Sequence, residues 1–218
     1  MKYENTDFVI DWETMGSDPD TIVLSFAISP FIEDQIESYE SIVSKSKYWK
    51  FDLESQHADG RSVNLDTLEW WETQPKALKD SQFNPTPNDI KLKEFVVELE
   101  EYLAASGLSK YSQLYCRGAS FDYPILAHIV KTYSNHNHKM WPVAFWNQNC
   151  IRSYIRGMFV SRNTSKVPLP KGSIDGFVAH DPLHDCARGV MHIQYARSYA
   201  AGLIDIPEGD DIDPNSNT

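Results

Sequence analysis

The stretch Phe8-Val9-Ile10-Asp11-Trp12-Glu13-Thr14 joins a buried run to a pair of carboxylates. Phe8, Val9 and Ile10 predict a buried strand over residues 6–14. Asp11 and Glu13 are two apart, so a strand points both to one face and Trp12 to the other. Carboxylates held side by side repel unless a cation lies between them. Such pairs are also common on solvated strands. This one, however, ends a buried strand, where the sites of α/β proteins open.

Outward from this strand, residues 21–28 are rich in β-branched and apolar side chains and predict a second strand. Residues 38–44 predict a third, completing an antiparallel meander. Asn64 is placed to cap a helix over 65–74 that Pro75 stops, with Leu65, Leu68 and Trp71 as its apolar face. Asn88 is placed to cap another, in which Leu92, Phe95, Val96, Leu99, Tyr102 and Leu103 recur at helical spacing before Gly107. A buried strand over 113–117 leads to a helix over 123–133, with Pro124 in its first turn. A strand over 144–146, a helix over 150–160, a polar loop over 161–172 and a helix over 182–201 follow. Strands first, then alternating helices and strands, predict an α/β protein with a central mixed sheet flanked by helices. Residues 1–206 are expected to form a single domain, and 207–218 an acidic, flexible tail.

The 218 residues suffice for one domain with a full core. An apolar content of 41% excludes a disordered chain. No apolar run is long enough to span a bilayer, and no signal-peptide pattern opens the chain. Cys116, Cys150 and Cys186 are an odd set without CxxC spacing, which suits a reducing cytoplasm better than a disulfide framework. The net charge of −11 argues against a surface that coats nucleic acid. Five of the acids (Asp205, Glu208, Asp210, Asp211 and Asp213) lie near the end of the chain with no Lys or Arg among them. Compact contact with a nucleic-acid end stays compatible with this balance.

Two further acids come into question. Asp122 follows the strand over 113–117 and opens a helix, as an N-cap or as an acid aimed at the sheet ends. In Ala179-His180-Asp181-Pro182-Leu183-His184-Asp185, Asp181 suits the N-cap and Pro182 the first helical position. His180 is then left in the loop and Asp185 about one turn inside. Two readings stand: a base beside a metal ligand, or a loop end followed by an acid that favours the helix dipole. A zinc pair of His180 and His184 is a rival, but the metalloprotease motif has Glu directly after its first His, and here Asp181 and Pro182 follow. Arg152 and Arg156 share a helical face that is either solvated or turned to phosphate. Lys166 and Lys171 precede His180 in the polar loop. Trp70-Trp71 and Phe145-Trp146 could stack on bases, with one of each pair expected in the core.

Taken together, Asp11-x-Glu13, Asp122 and His180-x4-Asp185 resemble the three motifs of the DEDDh 3′–5′ exonucleases, the superfamily that includes RNase T-like enzymes. Ala119-Ser120-Phe121-Asp122 is similar to the second motif. Cys116-Arg117-Gly118-Ala119-Ser120-Phe121-Asp122-Tyr123-Pro124-Ile125-Leu126, Phe145-Trp146-Asn147-Gln148, Pro168-Leu169-Pro170-Lys171-Gly172 and Cys186-Ala187 most resemble the exonuclease A branch of T-even bacteriophages. The likeness runs from about residue 8 to residue 203. A mycobacterial exoribonuclease branch is more distantly similar.

The resemblance implies an RNase H-like fold. It implies that Asp11, Glu13, Asp122 and Asp185 bind two Mg²⁺ ions, with Mn²⁺ able to substitute, and that His180 is the general base. It also implies that Trp12, Thr14 and Met15, together with Phe121 of the second motif, meet the terminal nucleotide. Two positions depart from the family pattern. Gly118 stands where Asn is frequent, and Pro182 stands where a small residue is usual. The expected activity is phosphodiester hydrolysis at a nucleic-acid 3′ end, releasing nucleoside 5′-monophosphates, with DNA favoured and no membrane partner. A phage protein would act in the host cytoplasm. The alternatives are a 3′–5′ exoribonuclease and a non-catalytic binding module, which would be expected to have lost one of the five residues.

Overall fold

The computed structural model describes residues 5–217. Its chain order is β1 (Asp7–Thr14), β2 (Val23–Phe31), α1 (Tyr39–Lys45), β3 (Lys47–Lys50), α2 (Leu53–Ala58), α3 (Leu65–Glu72), α4 (Lys76–Phe83), α5 (Leu92–Ala105), β4 (Leu114–Cys116), α6 (Asp122–Tyr133), β5 (Gln148–Cys150), α7 (Ile151–Met158) and α8 (Pro182–Ala200). The sheet order is β3-β2-β1-β4-β5. The first three strands are antiparallel neighbours, and β4 and β5 run parallel to β1. This is the expected mixed sheet of an RNase H-like α/β fold.

Alternation along β1 divides the core in two. Phe8, Ile10 and Trp12 face a cluster built with Phe26, Phe51, Phe95 and Leu99 on one side and Ile125 and Ile129 on the other. Val9 faces the opposite cluster, with Ala27, Ile151, Cys186, Val190 and Met191. Asp11 and Glu13 share the face of Val9, the side covered by α7 and α8. Helix α8 lies close to β1 because Gly189 has no side chain. A Cβ there would come within 3.1 Å of both Val9 Cγ1 and Ile151 Cδ1. That close approach brings the start of α8 to the end of β1.

Several local expectations are corrected. Residues 39–45 form α1 rather than a strand. Ser38 caps the helix by accepting from Ser41 N, and Tyr39 and Ile42, three apart, bury one face. The third strand is β3, four residues long. Helix α5 starts after Lys91, where Glu94 accepts the Lys91 N–H, and not after Asn88. Phe145–Asn147 is a 3₁₀ turn, and β5 follows it. The stretch beyond residue 206 is not simply solvated. Ile212 pairs with Pro170, Asp213 N donates to Leu169 O at 2.8 Å, and Asp213 and Ser216 are buried. All three cysteines are free thiols. Among the described residues no helix is long and apolar enough to cross a membrane.

Candidate active site

Parallel strands end on one side of the sheet, and the loops after them enclose a cavity of about 620 Å³. That volume is ordinary for a ligand site. Asp11, Glu13, Asp122, His180 and Asp185 all line it. Three segments far apart along the chain thus meet in one place. Asp11 pairs in register with Ala27 and Glu13 with Ser25. The register shifts between Glu13 and Thr14, so regular pairing ends at the site.

Asp122 is the first residue of α6, and Phe121 occupies the cap position without a side-chain cap bond. The N-cap reading of Asp122 is therefore excluded. Its carboxylate is buried, and the Cys116 thiol and the Trp12 backbone N–H favour its ionised form. These groups and the Arg152 charge oppose a larger burial effect, and the carboxyl is pushed up to about 7.

Asp181 caps α8, accepting from Leu183 N at 3.0 Å and His184 N at 3.4 Å. His180 lies just outside with φ of 63°, a strained conformation for a side-chain-bearing residue. The strain is held by a hydrogen bond from His180 N to Asp185 Oδ2, 2.9 Å, and by edge contact of the imidazole with the Trp70 ring, centroids 4.9 Å apart. One donor atom each of Glu13, His180 and Asp185 lies within 4.8 Å of the others. The zinc pair does not form: His184 Nδ1 is 2.5 Å from Tyr39 Oη and is not part of the cavity wall.

Charge accumulates here. Burial first, then the carboxylates of Asp185, Asp122 and Glu13, hold Asp11 well above the usual carboxylate range. Burial first, then Asp185, Asp181 and Asp122, do the same to Glu13. Added positive charge would favour the ionised form of Asp11, Glu13 and Asp122. Its donors are hard oxygens, which suit Mg²⁺ or Mn²⁺. Among the resident cations, Arg188 pairs with Asp185, while Arg117, Arg152 and Lys166 line the same cavity. Burial, Arg188 and Arg152 lower Arg117 to about 10.

The expected nucleotide contacts divide. Thr14 and Phe121 line the cavity. Trp12 also lines it, but the residue is 3% exposed and its indole packs on Phe26, with centroids 4.2 Å apart. Trp12 is thus at the cavity wall, as expected, with its ring turned into the core. Met15 packs with Leu24, Trp71 and Leu78 and is not among the lining residues. Trp71 is in the core, its Nε1 donating to Thr14 O at 2.8 Å, and Trp70 faces the cavity. Phe145 and Trp146 are both exposed, against the expectation that one would be buried. Of the paired cations considered, Arg152 and Lys166 line the cavity, and Arg156 and Lys171 do not. Arg117 and Arg188 escaped the sequence reading. Arg188 was signalled only by its place three residues after Asp185, on the same helical face.

Comparison with known proteins gives the family and the fold. Residues 6–196 match the family described as the 3′–5′ exoribonuclease Rv2179c-like domain. The chain is 37% identical over 223 residues to an exodeoxyribonuclease of enterobacteria phage T4, covering 96% of this chain and 97% of that protein. Among solved structures it is similar to E. coli exonuclease I in complex with a dA16 oligonucleotide, with a TM-score of 0.57 at 13% identity over 91% of this chain. It is also similar to cell-death related nuclease 4, with a TM-score of 0.51 at 15% identity over 91% of this chain. The chain spans 41% of the exonuclease I chain and 64% of the other nuclease, and these two likenesses show the fold.

Proposed function

We propose a substrate and a mechanism for this chain on the footing that it belongs to the Rv2179c-like 3′–5′ exoribonuclease domain family and is a 3′–5′ exonuclease. The reading is hydrolysis of the terminal phosphodiester at a DNA 3′ end, releasing nucleoside 5′-monophosphates. The observation that carries it is the convergence of Asp11, Glu13, Asp122, His180 and Asp185 on one cavity.

Asp11, Glu13, Asp122 and Asp185 would hold two divalent cations. When bound, such ions stabilise charge on the phosphate and the leaving oxygen and lower the pKa of water. His180 takes the proton from the attacking water, a role that suits an imidazole at neutral pH. Its loop is tied to Asp185 through its own backbone N–H, so base and ligand keep a fixed relation. Arg117, Arg152 and Lys166 meet the substrate phosphates. Trp70 and Phe121 belong to the apolar part of the wall. All five motif positions are filled, which speaks against a non-catalytic binding module.

DNA is favoured because the phage relative, matched over nearly its full length, carries an exodeoxyribonuclease name. The family description names an exoribonuclease, and RNA is therefore the second reading. The test uses matched 5′-labelled DNA and RNA oligonucleotides with Mg²⁺, with Mn²⁺ and with EDTA. The expected result is a metal-dependent ladder shortening from the 3′ end, faster on DNA. Faster loss of RNA would replace the substrate, and cleavage undiminished in EDTA would overturn the mechanism.

A further inference from the structure

We infer that residues 209–217 act through His192 as a strap that holds the Arg117 guanidinium toward the substrate phosphate. The inference rests on the proposed reaction for what Arg117 meets, and on a chain of hydrogen bonds for how Arg117 is held.

Arg117 follows β4 and lines the cavity, yet among the described residues it makes no ion pair with a carboxylate. Its Nη1 donates to Ser165 O at 3.1 Å, and its Nη2 donates to His192 Nδ1. Both acceptors are neutral. They fix direction without cancelling charge, whereas Arg188 is paired with Asp185. Among the described residues no carboxylate is bonded to Arg117, so its guanidinium stays available to an incoming phosphate.

His192 accepts at Nδ1 only when its proton is on Nε2. That proton has a receiver, the Ser216 carbonyl at 3.1 Å. The ring is fully buried, and Arg117, Arg188 and Lys166 are its charged neighbours, which keep it neutral. Ser216 O thus selects the tautomer that can hold Arg117.

The strap is itself well tied. Ser216 N and Oγ both donate to Asp213 O, at 3.1 Å and 2.6 Å. The buried Asp213 carboxylate accepts from Gly172 N and Asn215 N, each at 2.9 Å. Lys171 N donates to Asp211 O at 2.8 Å. Hence the strap joins the loop before His180 to α8, directly behind the basic wall of the site. Asn215 O also accepts from Arg188 Nη1 at 3.4 Å.

The test measures binding of 5′-fluorescein dT10 and rU10 by anisotropy in EDTA, where no cleavage is expected, and KM and kcat with Mg²⁺. His192→Phe keeps an aromatic ring and removes the acceptor. We expect Kd and KM to rise about tenfold with kcat within about threefold, as for loss of one phosphate contact. Arg117→Lys should behave alike, and the double variant should be no worse than either single one, because both break one chain of contacts. His192→Asn offers an amide oxygen near the Nδ1 position and should restore much of the binding. Asp213→Ala, which loosens the strap away from the cavity, should shift Kd in the same direction by less. Lower thermal stability with unchanged Kd in His192→Phe would reduce the network to a structural role and overturn the proposal. Additive effects in the double variant would overturn it as well. If His192→Phe does not fold, an unchanged Kd in folded Asp213→Ala overturns the strap. Wild-type protein that binds but never cleaves would sink the proposed reaction and leave this inference standing.

Discussion

Strand β1 carries buried acid at both ends, and the ends differ in kind. At its start, Asp7 is 1% exposed. Its Oδ1 accepts from Gln113 N at 2.8 Å, and its Oδ2 has no partner among the described residues. Burial, with a smaller push from Glu33, raises it to about 6. At the other end Asp11 and Glu13 are also raised, with burial again the leading cause. The contrast lies in the surrounding groups. Asp7 has a backbone donor and one neighbouring acid, whereas Asp11 and Glu13 have carboxylates from α6 and α8 and an open cavity. A raised carboxyl by itself is an isolated desolvation cost. Several raised carboxyls facing one another describe a place for cations.

Substitution breaks or sharpens that contrast most strongly in catalysis. Asp11→Asn and Asp122→Asn should each lower kcat by about 10³-fold or more, while Asp7→Asn stays within about twofold, measured on end-labelled DNA with Mg²⁺. Equal losses at both ends of β1 would erase the distinction. Next in size, His180→Ala should lower kcat by about 10²- to 10⁴-fold with little change in KM and with Mn²⁺ binding retained.

The pH response separates the ends further. Asp122 has a folded-state value of about 7 against 3.8 for an ordinary Asp. Its protonated form is the one that folding favours. Through this group the cation-free protein therefore loses stability as pH rises from about 4 to about 7, and the raised carboxyls of Asp11 and Glu13 act with the same sign. Divalent cations favour the ionised forms, so the rise in Tm with Mg²⁺ should be larger at pH 8 than at pH 6. A Tm rise independent of pH, or kept in Asp11→Asn, would contradict the assignment. The smallest effect belongs to Asp7, whose penalty accumulates between about 4 and about 6 by the same sign. Asp7→Asn should add about 1–3 kcal/mol to unfolding stability at pH 8 and little at pH 4, by urea denaturation. No gain at pH 8 would mean that Asp7 carries no uncompensated charge.

Legibility in the sequence tracked the range of the interactions. The alternation of β1, the Asn64 and Asp181 caps and the face of α5 are local, and they were readable from neighbours along the chain. The residue types and their order suggested that the five residues meet, and resemblance to a family strengthened it, but no local rule places residue 185 beside residue 11. The local signal failed at residues 38–44, where Ile42 and Val43 suit a strand and Ser38 with Tyr39 and Ile42 sets a helix. Elsewhere the deciding contacts were distant. The Trp12 ring turns into the core because Phe26, Phe51 and Phe95 surround it. Arg117 gains its role from His192 and Ser216, both far along the chain. The acidic composition of residues 205–213 hid Asp213, whose charge is buried against backbone N–H groups.

The most direct measurement is calorimetric titration of the chain with Mn²⁺ at pH 8, in the presence of a 3′ end made resistant to hydrolysis, alongside Asp11→Asn, Asp122→Asn and Asp7→Asn. The account predicts two Mn²⁺ per wild-type chain, the same for Asp7→Asn, and loss of at least one site in the other two variants. Absence of Mn²⁺ binding to the wild type, or full binding by Asp11→Asn and Asp122→Asn, would contradict it.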